Sequence, residues 1–361
     1  MPGTAHHSLD GPLPSFSELI DQFSKLSIPP APPETDLSPA PPCPIASIPE
    51  EILVEILLAI AVSDIASFAF VAQVCKRVAY LIVTEERIWK TIALDKKFGF
   101  AAMHYSYACD LLGYPLHDQV LWKTTQIPTQ LRFHDLTPSV YSTYRAQFRA
   151  RPRIRFNGCY ISTVNYTRPG AASQTQQYTW SSPIHVVTYF RYLRFFRDGT
   201  VISLLTTAEP ADVVHHLSKD NIHNHHGSVL PTVVMKDARR GRWRLSGSAG
   251  LQNDTESLSL DQDVEPNGPG EYIREPLNAF EIDTEEEGDV HIETEGVMPK
   301  YMWKMQFAMG SSGRKEGTRN NKLSWKGFWS YNRLTDDWGE FALKNDKPYY
   351  WSRVRSYGTG L

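Results

Sequence analysis

Five histidines, His215, His216, His223, His225 and His226, crowd one short stretch of this chain. Imidazole is a good zinc ligand, and His223 with His225 or His226 could share one ion. No cysteine or helical HExxH pattern frames them, however, and Asn221, Asn224 and Gly227 mark a loop. The stretch therefore reads as a loop that binds metal adventitiously, and no metal or cofactor is expected. Two arginine stripes come next: Arg151, Arg153 and Arg155, and Arg191, Arg194 and Arg197. The plain reading is a solvated strand face, and the sharper one is contact with an anion or an acidic peptide. Nucleic acid is disfavoured, because 37 basic residues stand against 40 acidic ones, a net charge of -3. The 4 cysteines, Cys43, Cys75, Cys109 and Cys159, are scattered without a CxxC, which argues against a disulfide scaffold or a cysteine zinc site. Serine, histidine and aspartate are all present, but in no GxSxG context, and no phosphate-binding glycine loop appears. No catalytic residue is predicted.

Most of these side chains need strands to carry them. Aromatics make up 12% of the chain, with 9 Trp, 17 Tyr and 16 Phe, a bias towards β-structure. From about Ile154 the apolar period changes from 3.6 to 2. Strands are predicted at Ile154–Asn165, His185–Arg197, Val201–Thr206, Gly241–Ser246, Val290–Glu293, Tyr301–Ala308, Leu323–Asn332, Glu340–Leu343 and Tyr349–Arg355. A hairpin turn is predicted at Asp198-Gly199, and a helix near Pro210–Leu217. Alternating Tyr301, Trp303, Met305 and Phe307, and Leu323, Trp325, Gly327, Trp329 and Tyr331, would fill the interior of an antiparallel barrel. A lipocalin-like barrel with a small apolar ligand in that interior is the alternative. A disordered insertion is expected around 247–276. The segment Glu281 to Glu295 holds eight acids and no Lys or Arg, a solvated edge or a surface for a basic partner.

Residues 1–45 are too proline-dense for a folded domain, as in Pro29-Pro30-Ala31-Pro32-Pro33. Within them Phe16 to Leu26 has helical spacing, which suits a transient helix or a short docking helix. Order is expected from Ser47, where Ser47-Ile48-Pro49-Glu50 reads as a capping box. Ile52, Leu53, Ile56, Leu57 and Ile60 follow as the stripe of a first helix. Ser63-Asp64 opens a second helix with Ile65, Phe68, Ala69, Ala72, Cys75 and Ala79, and a third carries Ile88 and Trp89. The first helix is apolar on two sides. One can pack inside so small a unit, and the surplus needs other cover.

These helices carry the most specific motifs in the chain. Ile48-Pro49-Glu50-Glu51-Ile52-Leu53, with Ile56-Leu57 one turn on, resembles the opening of the F-box. Val74-Cys75-Lys76-Arg77 resembles its Val-Cys-Lys signature, and Glu85-Glu86-Arg87-Ile88-Trp89 its closing acidic-x-x-aliphatic-Trp. Arg151 to Ser162, Tyr189 to Gly199, Leu205-Thr206-Thr207 and Gly241-Arg242-Trp243 are similar to the C-terminal domain of F-box only protein 9 and its fungal counterparts. The resemblance implies a substrate receptor of a Skp–cullin–F-box ubiquitin ligase. It implies an adaptor-binding set of Ile48, Pro49, Ile52, Leu53, Ile56, Leu57, Val74 and Cys75 that docks on the Skp adaptor and, through it, on cullin and RING subunits. Protein targets would be recruited for ubiquitination by the β-domain, through residues the sequence does not name.

The expected fold class is α+β: a small three-helix F-box at 46–92, a helical linker at 93–150, then a large antiparallel lipocalin-like β-barrel at 151–361. Residues 150–361 are expected to fold alone, with the linker holding the barrel at a fixed distance from the cullin arm. The N-terminus lacks the basic and apolar regions of a signal peptide, and no apolar run reaches the length of a membrane span, so a cytoplasmic or nuclear location is expected.

Overall fold

The computed structural model describes residues 43–116, 141–169, 184–222, 233–246, 288–313, 320–344 and 346–358, with residues 18, 21–22, 28, 39, 41 and 360. His223, His225, His226, the expected insertion at 247–276, the acids before Gly288, most of the Phe16–Leu26 segment and residues 117–140 of the expected linker lie outside them. The chain divides into two units, Met1–Phe98 with Asp135–Phe148, and Gly99–His134 with Arg149–Leu361.

The first unit is helical. It contains α1 (Glu50–Ser63), α2 (Ile65–Val71), α3 (Lys76–Thr84), α4 (Glu86–Leu94) and the part of α5 (Tyr144–Ala150) up to Phe148. The helix expected to run from Ile65 through Ala79 is broken in two. Gln73 and Val74 close a turn on Phe70 and Val71, and Cys75 is extended (φ -158°, ψ 164°) as the N-cap of α3. The expected capping box at Ser47 does not form. Pro49 occupies the N-cap of α1, and the Ser47 hydroxyl donates back to the Pro44 carbonyl at 2.7 Å in a preceding 3-10 turn. Glu50 is then free to pair with Arg77 at the start of α3. Asp64 caps α2 as its sequence suggests, accepting from the Ala66 and Ser67 amides at 3.2 and 3.1 Å. Trp89 sits at the centre. Its indole N–H donates to the Ile82 carbonyl at 2.6 Å, and its ring packs on Phe68 and Phe148 at 5.8 and 5.9 Å.

The second unit is a closed antiparallel barrel. Its strands are β1 (Gly158–Pro169), β2 (Ile184–Phe195), β3 (Thr200–Thr206), β4 (Arg239–Leu245), β5 (Asp289–Glu295), β6 (Tyr301–Gly310), β7 (Lys322–Asn332), β8 (Asp337–Glu340) and β9 (Tyr349–Arg353). Each of β1 to β7 pairs with the next, and β9 joins β7 to β1, so eight strands close the ring. The ninth, β8, hangs on β7 outside it. Closure leaves no unpaired edge within the ring, which is the usual solution to the edge-strand problem. The turn at Asp198-Gly199 is of the expected kind: Gly199 takes φ +86°, and Asp198 Oδ1 accepts from the Thr200 amide at 3.1 Å.

The interior is filled by its own side chains. Trp243 meets Phe195 at 5.7 Å and Phe156 at 5.9 Å, and Phe195 meets Tyr160 at 5.4 Å. Phe307 lies 4.4 Å from Trp325 and 5.4 Å from Tyr349. An apolar ligand, the alternative reading, would have to share the interior with these rings. Helix α6 (Pro210–Val213) and the turns after it cover the outside of β1 to β3, burying Cys159, Tyr192, Ile202 and Leu204 against Val213, Leu217 and Ile222. The expected alternation through β7 fails midway. Phe307 faces Trp325 and Gln306 faces Gly327, so Lys326 is a bulged residue and the phase inverts after it. Phe328 opposes Met305 on the inner face, while Trp329 and Tyr331 oppose Lys304 and Met302 on the outer one.

The arginine stripes do not lie on a solvated face. Arg151 and Arg194 are buried, the first over Phe100 and Tyr105, the second over Phe196 and Tyr357. Arg155 stacks on Trp351 at 4.7 Å and Arg197 on Phe156 at 5.0 Å. Guanidinium is planar and weakly hydrated, so aromatic faces can take it out of water.

Within the described part of 93–150, helix is limited to the end of α4, a 3-10 turn at Phe100–Ala102 and α5. Residues 99–116 form a strap that belongs to the barrel unit. His104 packs on Trp243 at 5.3 Å, its backbone carbonyl accepts from the Leu245 amide at 2.7 Å, and the Met103 sulfur accepts from the Ile154 amide at 3.3 Å.

Candidate functional site

In α1 the residues Val54, Leu57 and Ala61 recur at three- and four-residue spacing and form the buried face. The outward ridge is also apolar. Ile52 is 51% exposed and Ile56, one turn on, 45%. Leu53 and Ile48 are half-buried, and Pro49 is exposed at the helix start. Val74, in the turn that breaks the expected second helix, is 74% exposed, and the neighbouring Cys75 is half-buried. The structure thus leaves seven of the eight predicted adaptor-binding residues at least partly accessible and withdraws Leu57. That side chain falls in line with Val54 and Ala61 and serves the core.

Two further apolar side chains share this exposure. Ile45 lies in the 3-10 turn before α1, and Phe70 at the end of α2 is 68% exposed. Phe70 was legible in principle. Phe68 anchors the inner stripe of α2, and a residue two positions on projects to nearly the opposite side of a helix. The helical frame beneath these residues is pinned by Glu50 with Arg77, by Glu55 with Arg87 at 2.6 Å, and by the Tyr144 amide donating to Glu86 at 2.9 Å.

Among the described residues, no three His, Cys, Asp or Glu side chains gather as a metal site, and no helix is long and apolar enough to cross a membrane. The two cysteines of the barrel unit are protonated. Burial pushes the Cys109 thiol up to about 11 and the Cys159 thiol to about 12. What the helical unit offers is an apolar surface of aliphatic and aromatic side chains on a rigid frame, suited to binding rather than bond-making.

Comparison with known proteins agrees with this architecture. Residues 135–249 match the family model for the F-box only protein C-terminal region. The chain is 26% identical over 223 residues to the F-box protein pof7 of Schizosaccharomyces pombe, covering 62% of this chain and 48% of that protein. It is 31% identical over 189 residues to the F-box protein HRT3 of Saccharomyces cerevisiae, covering 51% of this chain and 48% of that protein. The chain therefore spans about half the length of the curated relatives it matches. No solved structure matches. The ordered helical motifs, the barrel that follows them and these matches together make the chain similar to F-box proteins, with a segment that matches the F-box only protein C-terminal region.

Proposed function

We propose that this chain is the substrate-recognition subunit of a Skp–cullin–F-box ubiquitin ligase. Its helical unit docks on the Skp adaptor, and its barrel recruits target proteins for ubiquitination and degradation. The carrying observation is the surplus on α1 and its neighbours. Ile52, Ile56, Phe70 and Val74 are exposed while a separate set, Val54, Leu57, Phe68 and Trp89, already makes the core. Solvating that much aliphatic surface beside a complete core is unfavourable unless a partner covers it. The receptor itself is non-catalytic. It acts by holding target lysines near a charged conjugating enzyme, raising their effective concentration. Such an assembly operates in the cytoplasm or nucleus.

The test is co-elution of the full chain with a purified Skp adaptor on gel filtration. Ile52→Glu and Ile56→Glu are expected to abolish the complex, because docking would bury an unpaired carboxylate. Their unfolding midpoints should stay within about 0.5 kcal/mol of the native chain, as for other exposed positions. Leu57→Ala should instead cost about 2–5 kcal/mol of stability as a core truncation. Undiminished adaptor binding by both glutamate variants would reject the docking surface.

A further inference from the structure

The barrel unit carries a cleft on its outer wall. The strap folds back on itself there, with a bridge between Cys109 and Pro115, and its tip is set by Asp110, whose Oδ1 accepts from the Leu112 and Tyr114 amides at 3.0 and 2.8 Å. Gly113 at that tip takes φ +90° and lies so close to Thr200 that a Cβ would stand 3.1 Å from its methyl group. The opposite wall is the turn at Ser218–Ile222, tied down by Lys219 to Asp198 and by the Asn221 side-chain amide donating to the His216 carbonyl at 2.8 Å. Between the two walls, β3 and β4 form a floor of Thr200, Val201, Ile202, Arg240 and Gly241, enclosing about 470 Å³. That volume lies within the range of sites that hold small molecules or a few side chains.

The lining has an unusual division. Leu112 and Tyr114 are 49% and 66% exposed on one wall. On the other, Lys219 pairs with Asp198, and Asp220 adds a second carboxylate. Arg240 on the floor is half-buried, and among the described residues no hydrogen bond or ion pair engages its guanidinium; only its backbone amide is used, donating to Glu295 at 3.3 Å. Two other barrel arginines show the contrast: Arg191 is paired with Asp346, Arg242 with Glu293. A half-buried guanidinium in a concave site is poised for a carboxylate, and the fork geometry gives that contact direction.

We propose that this cleft is the target-recognition pocket of the barrel, and that it takes an extended peptide segment in which an aspartate or glutamate, for Arg240, stands within a few residues of a large apolar side chain, for Leu112 and Tyr114. The proposal rests on the reading of the chain as a target receptor and names the chemistry of the target's signal. Rigid walls favour it, because a preformed cleft adds little ordering cost to binding.

A phage-displayed library of random twelve-residue peptides, panned on the full chain, tests it. The enriched peptides should share an acidic residue near an aromatic or aliphatic one, with fluorescence anisotropy giving their affinities. Arg240→Ala should weaken the best peptide about tenfold or more, the scale of one charge-assisted hydrogen bond. Replacing the peptide's acid by alanine should have a similar effect, and the two changes combined should cost little more than either alone. Arg240→Lys should recover part of the loss, and Tyr114→Ala should weaken binding with the fold intact. A library that yields no binder, enriched peptides without an acid, or binding indifferent to Arg240→Ala overturns the proposal. Adaptor co-elution of the same preparations separates the two readings. A chain that selects acidic peptides yet binds no adaptor keeps the pocket and loses the ligase assignment.

Discussion

At the scale of single residues, the barrel unit buries groups that have acid–base chemistry but no use for it. Desolvation raises Tyr107, Tyr160, Tyr192, Tyr349 and Tyr357 above the ordinary phenol range, Tyr160 to about 12. The same cause raises Cys109 and Cys159, and it lowers Arg153, Arg155 and Arg194. The signs work against each other. A buried phenol or thiol stays protonated while its unfolded counterpart ionises, so stability falls as pH rises from about 9 to about 12. A buried arginine with a lowered value contributes the reverse. Seven groups of the first kind outnumber three of the second, so the barrel unit is expected to lose stability above about pH 9 and unfold in one step. Absorbance near 295 nm during an alkaline titration checks this: the buried tyrosines should ionise together, with the loss of near-ultraviolet circular dichroism. Gradual ionisation with the fold retained would count against the burial. Nothing in the spacing of Arg151, Arg153 and Arg155 announces their fate. Alternation shows that they share a face, but whether that face meets water or rings depends on Phe100, Tyr105 and Trp351, which are remote in sequence.

At the scale of elements, the period-2 pattern located the eight strands of the ring, because alternating burial leaves a direct trace in a sequence. It placed the outer strand β8 at Glu340–Leu343, where the structure has it at Asp337–Glu340, all four residues exposed and so without alternation. It missed where that trace changes phase. The bulge at Lys326 sends Trp329 and Tyr331 outward, and only the pairing with β6 shows it. The break at Ala72–Cys75 was hidden for a related reason. Ala72, Cys75 and Ala79 keep helical spacing across the turn, so periodicity alone could not separate α2 from α3. Glycine gives a sharper element-level test. A Cβ on Gly241 in β4 would stand 2.2 Å from the Glu293 carbonyl oxygen and 3.0 Å from the Thr294 Cα, so β4 and β5 could keep their pairing only by moving apart. Gly310, at the end of β6, has nothing within 4 Å of the same position. Gly241→Ala should therefore destabilise the barrel by about 1–3 kcal/mol, the usual cost of overpacking. Gly310→Ala should be nearly neutral. Chemical denaturation of the two variants side by side reads the difference, and equal stabilities would contradict the close approach of these strands.

At the scale of the whole molecule, the division of labour differs from the one the sequence suggests. Residues 93–150 read in the sequence as a helical linker, yet 99–116 belong to the barrel unit. His104 lies on Trp243, Ala108 on Gly199, and the strap forms one wall of the outer cleft. Its apolar residues follow no clean period because they cover a curved barrel wall, not a helix neighbour, so the signal that found the strands is silent here. We therefore expect residues 150–361 to make a poor domain and residues 99–361 a good one. Without the strap, Trp243 loses its His104 neighbour and Ile154 loses the Met103 sulfur as hydrogen-bond partner. Uncovering a fully buried tryptophan on one side forfeits packing of the order of a large-to-small core change, about 3–5 kcal/mol. Thermal unfolding of the two fragments measures this directly, and equal midpoints would show that the strap is dispensable. The longer fragment also lacks α1 to α4, so it should retain targets without delivering them to the ligase. Cells expressing residues 99–361 should then accumulate targets in complex with the fragment, with lengthened half-lives. A stable fragment that neither retains nor stabilises any target would place recognition outside the barrel.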